Sequence, residues 1–107
     1  MVKDRLTIRL VPVSNLRQLI ARVLYSKKNL IDYALIILKK AKDGIHVNDI
    51  ESLSRELGLS FKNVKYIIDK LQSIGMLEVK DDTIVLSRKF INTLDSMIKI
   101  WEEFTST

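Results

Sequence analysis

The stretch "LGLSFKNV", Leu57–Val64, decides how the chain folds. Leu57 and Gly58 end one helix and Ser60 starts another, with too few residues between them for a loop of its own. Two helices crossing at a steep angle need a tight turn, and Gly58 permits it. Leu59 seals the corner, and Ser60 restarts the chain as a helix by accepting a backbone N–H. Val64 must then pack against the preceding helix. Upstream, Asn48 or Asp49 opens a helix with Ile50, Leu53 and Leu57 inward. Downstream, Val64, Ile67, Ile68, Leu71 and Ile74 share one face, and Gly75 ends the segment.

Working outward, residues 76–87 alternate as a small hairpin. Leu77 and Val79 lie on one arm, Ile84 and Leu86 on the other, and Asp81–Asp82 form the turn. Ser87 caps a last helix whose stripe, Phe90, Leu94, Met97, Trp101 and Phe104, repeats at heptad-like spacing. On the other side, "IHV" at 45–47 is a short strand. Before it, residues 29–43 form a helix capped by Asn29, with Asp32 near its start and cations near its end. Leu16, Leu19, Ile20, Val23 and Leu24 form the stripe of an earlier helix, with Ser14 as its cap. "RLTIRLV" at 5–11 alternates as a strand that Pro12 stops. The organisation expected is a strand and basic helix over 1–28, a central unit over 29–87, and a packing or dimerisation helix over 88–107.

The segment "HVNDIESLSRELGLSFKNVKYIIDKLQSIGMLEV" resembles the winged helix-turn-helix superfamily of DNA-binding proteins, in particular the small transcriptional regulators common in archaea and bacteria. The resemblance covers about 29–87. It implies a winged helix-turn-helix, which together with the additional N- and C-terminal helices read from periodicity gives a mainly α (α+β) fold. It also implies a helix over 60–75 that enters the major groove of double-stranded DNA. The residues that would contact DNA are Ser60, Lys62, Asn63, Lys65, Tyr66 and Lys70, with Lys80 on the hairpin and Arg17 and Arg22 from the N-terminal helix. Lysines suit phosphates or guanine edges, Asn63 suits adenine, and Tyr66 suits a backbone or a thymine methyl. Small regulators of this kind often dimerise through terminal helices. Phe90, Leu94, Met97, Trp101 and Phe104 are therefore the expected homodimer seam, the plainer alternative being core packing onto the 29–43 helix.

The charge pattern complicates that reading. The net charge is +5, but residues 1–43 carry +7 and residues 44–107 carry −2. Asp81 and Asp82 sit at the hairpin tip, where phosphate-gripping wings usually carry cations, and only Lys80 offsets them. Non-specific affinity for DNA is mostly electrostatic. Arg17, Arg22, Lys27 and Lys28, with Arg5 and Arg9, must then lie beside the 60–75 helix to supply phosphate contacts. Otherwise the domain is a protein-interaction adaptor in a replication or transcription complex, its basic half facing an acidic protein partner.

Other functions find little footing. There is no cysteine, hence no disulfide framework, thiolate zinc site or thiol nucleophile. His46 is the only histidine and suits a structural role. Three glycines leave no phosphate loop, and adjacent Asp81 and Asp82 lack the spacing of an acid/base pair. The expectation is no enzyme, no cofactor and no metal. Charges spread through "MVKDRLTIRL" do not read as a signal peptide, and no apolar run approaches the roughly 18 residues of a membrane span. A cytoplasmic protein without a membrane partner is expected. Abundant isoleucine and lysine with one proline lean toward a thermophilic source.

Overall fold

The computed structural model describes residues 15–106 of the 107. The strand expected over 5–11 lies outside them. So does Ser14; the cap of the first helix, α1 (Leu16–Val23), is Asn15, whose side chain accepts from the Gln18 amide at 2.9 Å. Ile20 and Leu24 point into the core.

A 3-10 stretch (Tyr25–Leu30), kinked at Lys27, leads straight into α2 (Ile31–Ala41). Asn29 does not cap α2. The cap position is Leu30, and the Ile31 amide already donates to the Lys28 carbonyl, so the 3-10 turn supplies a backbone acceptor where a side chain was expected. Asp32 instead pairs with Arg17, tying α2 to α1. Ala34, Ile37, Leu38 and Ala41 fill the core from α2.

Next come β1 (Ile45–His46), a 3-10 turn (Val47–Asp49), α3 (Ile50–Leu57) and α4 (Phe61–Ser73). β2 (Leu77–Lys80) and β3 (Thr83–Leu86) form the hairpin. The sheet is antiparallel in the order β1-β3-β2, with Ile45 opposite Ile84 and Val79 opposite Ile84. Asp81 and Asp82 have φ of 50° and 62°, the left-handed pair that a two-residue turn needs to match strand twist. Leu77 and Ile84 are buried as the alternation predicts. Val79 and Leu86, at opposite corners of the same face, stay largely exposed because the packed helices do not cover those corners.

α5 (Lys89–Thr105) follows. The Ser87 hydroxyl accepts from the Lys89 amide, although Arg88 holds the cap position. The first turn is pinned to the domain: the Phe90 amide donates to the Gly75 carbonyl at 2.9 Å. Beyond Phe90 the helix runs into solvent and buries no residue. Packing of its stripe onto α2 is therefore not how this helix is held. The radius of gyration, 16.3 Å, and extents of 50 × 29 × 21 Å fit this projection, since a compact chain of this length would have a radius near 13 Å.

The body is a small helix-rich α+β domain with a three-strand antiparallel sheet, an arrangement compatible with a winged helix. One core runs through it, from Ile20 and Leu24 of the N-terminal segment to Ile67 and Leu71 of α4 and Leu77 and Ile84 of the hairpin.

Candidate nucleic-acid interface

The presentation of α4 follows from its first residues. Gly58 is left-handed, with φ of 66°. The chain can therefore turn back so that the Leu59 amide donates to the Ser54 carbonyl at 3.0 Å. The Ser60 hydroxyl then accepts from the Asn63 amide at 3.1 Å. Val64, Ile67, Ile68 and Leu71 are buried, which fixes the rotation of the helix about its axis. The opposite side presents Lys62, Lys65, Asp69 and Lys70 to solvent, with Asn63 and Tyr66 half-buried at one edge.

The N-terminal segment reaches this edge. The Lys27 ammonium stands 5.5 Å from the centroid of the Tyr66 ring. Such a contact contributes about 0.5–1 kcal/mol at an exposed site; more important here, it places a cation of the basic half beside α4. Lys27 is also the residue at which the 3-10 stretch departs from helical backbone, with φ of −134° and ψ of 56°. Lys62, Asn63, Tyr66 and Lys70 thus gather with Lys27 on one flank. Neither Lys62, Lys70 nor Lys27 forms an ion pair among the described residues, whereas Lys65 lies 4.0 Å from Asp69.

Several other expected residues are engaged elsewhere. Arg17 is engaged with Asp32 in an exposed pair, a contact worth about 0–1 kcal/mol at most. Arg22 is exposed on α1. Lys80 lies 3.9 Å from Glu78, whose carboxylate also receives Lys89 at 3.5 Å. With Asp81 and Asp82 exposed beside it, the hairpin tip is acidic. Ser60 is exposed, its hydroxyl already committed to the cap. His46 has a structural task, as its Nδ1 accepts from the Asn48 amide at 3.1 Å. Among the described residues no cluster of three or more His, Cys, Asp or Glu is placed to hold a metal ion, and no helix is long and apolar enough to cross a membrane.

On the expected dimer seam Phe90 packs partly against the core, whereas Leu94, Met97, Trp101 and Phe104 are exposed, Phe104 to 71%. Trp101 and Phe104 stack on each other with ring centroids 5.5 Å apart.

Lys27 was legible only as one of several N-terminal cations. The sequence marks a break in helical spacing at residues 26–29 but not the direction in which the chain leaves it, so it does not single out Lys27 among the N-terminal cations. No family model, curated protein or solved structure matches the chain.

Proposed function

We propose that this chain is a winged helix-turn-helix protein that binds double-stranded DNA and regulates transcription, in the cytoplasm and as a homodimer, without enzymatic activity. α4 lies in the major groove. Lys27, Lys62 and Lys70 meet phosphates along one flank, while Asn63 and Tyr66 face base edges. The observation that carries this reading is the Lys27 ammonium over the Tyr66 ring. It joins the basic N-terminal half to the exposed face of α4, which alone has three lysines against Asp69. The acidic hairpin tip stays off the backbone. Two α4 helices in a dimer read half-sites about one helical turn apart, and occupancy of a promoter blocks or recruits the transcription machinery.

A second reading has its own support. The bare apolar face of α5 and the acidic hairpin favour an adaptor that binds a protein partner. Fluorescence anisotropy with a random duplex of roughly 30 base pairs separates the two. The DNA reading expects micromolar or tighter affinity at low salt and a log–log salt slope of about −3 per subunit, one unit for each of three phosphate contacts. Absence of binding even at low salt sinks it and leaves the adaptor.

A further inference from the structure

An open apolar groove of about 580 Å³ lies between α1, α2, the end of β3 and the base of α5. Leu19, Leu35, Leu38, Met76 and Leu86 wall it, and Phe90 and Ile91 carry it onto the face of α5 itself. The only charged residues lining it are cationic, Lys39, Lys42 and Arg88, and none of the three forms an ion pair among the described residues. We propose that this groove receives the C-terminal end of α5 from a second copy of the chain, in a reciprocal two-fold exchange. The proposal rests on the homodimer reading and names where and how the copies meet.

Four observations select that occupant. First, α5 needs a partner. Seven large apolar side chains along it are between 40% and 71% exposed, and none is buried. A lone helix of this length is marginal in water. At roughly 100 Å² apiece, those seven would bury on the order of 700 Å² per copy, close to the ~800 Å² per partner of a stable interface.

Second, the charges are complementary. Glu102 and Glu103 sit in the last turn of α5, where the helix dipole disfavours acids. No cation of the same chain is paired with either among the described residues. The groove offers cations without acids. An antiparallel arrangement brings the two together and relieves the acidic helix end.

Third, the path is continuous. Because Phe90 and Ile91 line the groove, a helix laid antiparallel along α5 from its tip ends there. The stacked Trp101–Phe104 pair of the second copy is then its apolar plug. Fourth, α5 cannot fold back into the groove at its own base. α5 runs unbroken from Lys89 to Thr105, so at about 1.5 Å per residue its acidic tip stands roughly 20 Å from the groove at its base.

The test is sedimentation equilibrium of the full chain without DNA, which keeps the outcome independent of the DNA reading. Three variants are compared with the parent: Lys39→Glu/Lys42→Glu, Glu102→Lys/Glu103→Lys, and the four changes combined. All four positions are exposed, and circular dichroism checks that each variant folds. The expected result is a parent dimer, at least about tenfold weaker association in each double variant, equivalent to about 1.4 kcal/mol, and recovery in the quadruple variant, where the charges are exchanged but again opposite. A dimer indifferent to Lys39 and Lys42 yet lost in Trp101→Glu overturns the groove and leaves a helix seam elsewhere. A parent that stays monomeric at all concentrations overturns the dimer reading as well. Saturable binding of dodecanoate by a monomeric parent, lost in Lys39→Glu/Lys42→Glu, assigns the groove to an anionic amphiphile instead and also overturns the proposal.

Discussion

α4 and α5 are both amphipathic, of 13 and 17 residues, and each carries a clear apolar stripe. Their fates differ completely. Val64, Ile67 and Leu71 of α4 are wholly buried, whereas Met97, Trp101 and Phe104 of α5 are all more than half exposed. Periodicity states that a face wants covering but not what covers it. In α4 the cover is the same chain, brought there by the turn at Gly58 and the cap at Ser60. In α5 the described residues hold the first turn, through the Phe90–Gly75 bond, and the apolar side chains from Leu94 onward stay exposed. The more apolar-looking stripe is therefore the one that contributes less to the fold.

The sharpest way to break this contrast is to truncate one side chain in each stripe. Ile67→Ala removes fully buried atoms and should cost about 2–5 kcal/mol of unfolding free energy. Phe104→Ala removes a larger side chain but should stay within about 0.5 kcal/mol, provided urea unfolding is measured at concentrations low enough to dissociate a dimer. A comparable loss in both would mean that α5 packs on its own domain after all.

A second comparison concerns the two glycines that bound α4. Both are left-handed, Gly58 with φ of 66° and Gly75 with φ of 89°. A Cβ at Gly58 meets nothing within 4 Å, so Gly58→Ala should cost only the backbone penalty, about 1–2 kcal/mol. A Cβ at Gly75 would lie 2.7 Å from the Phe90 nitrogen and 2.8 Å from the Lys89 carbonyl carbon. These are backbone atoms that cannot rotate away, so Gly75→Ala should cost clearly more than Gly58→Ala in urea unfolding and should loosen the base of α5. Equal costs would show that the α5 anchor yields freely.

Much of this fold was legible because its determinants are local. Gly58, Ser60 and Val64 fix the turn through backbone conformation, a hydroxyl acceptor and one buried side chain, and Asp81–Asp82 fix the hairpin through left-handed backbone. What escaped depends on context. Asn29 has the chemistry of a cap, yet the 3-10 turn already gives the Ile31 amide a backbone acceptor. The α5 stripe looked equally suited to core or seam because only three-dimensional placement separates them. On the candidate site, the α4 residues were legible from the helical wheel. The cation that joins them was not, since a break in helical spacing at residues 26–29 does not say which cation comes to lie over Tyr66.

That cation yields the next prediction, about α4 and its neighbours rather than α4 and α5. If Lys27 and Lys62 share one phosphate-binding flank, Lys27→Ala and Lys62→Ala should each weaken duplex binding for all sequences alike and reduce the salt slope by about one unit. A loss in Lys62→Ala alone would confine the interface to α4 and remove the role given to the N-terminal half.

The smallest effect is expected at the hairpin. Lys80 is the one tip residue with the charge to hold a phosphate, but its ammonium lies 3.9 Å from Glu78, and Asp81 and Asp82 stand beside it. A phosphate approaching Lys80 would have to displace the Glu78 carboxylate and tolerate two further negative charges at close range. At contact distances, well inside the Debye length of about 8 Å at physiological salt, ionic screening removes little of that repulsion. Lys80→Ala should therefore leave affinity nearly unchanged and alter the salt slope by well under one unit in the same anisotropy titration. A full unit lost would place the hairpin against the backbone despite its acids. The DNA-facing surface would then be centred on α4 and the sheet, and the flank built around Lys27 and Tyr66 would lie at its margin.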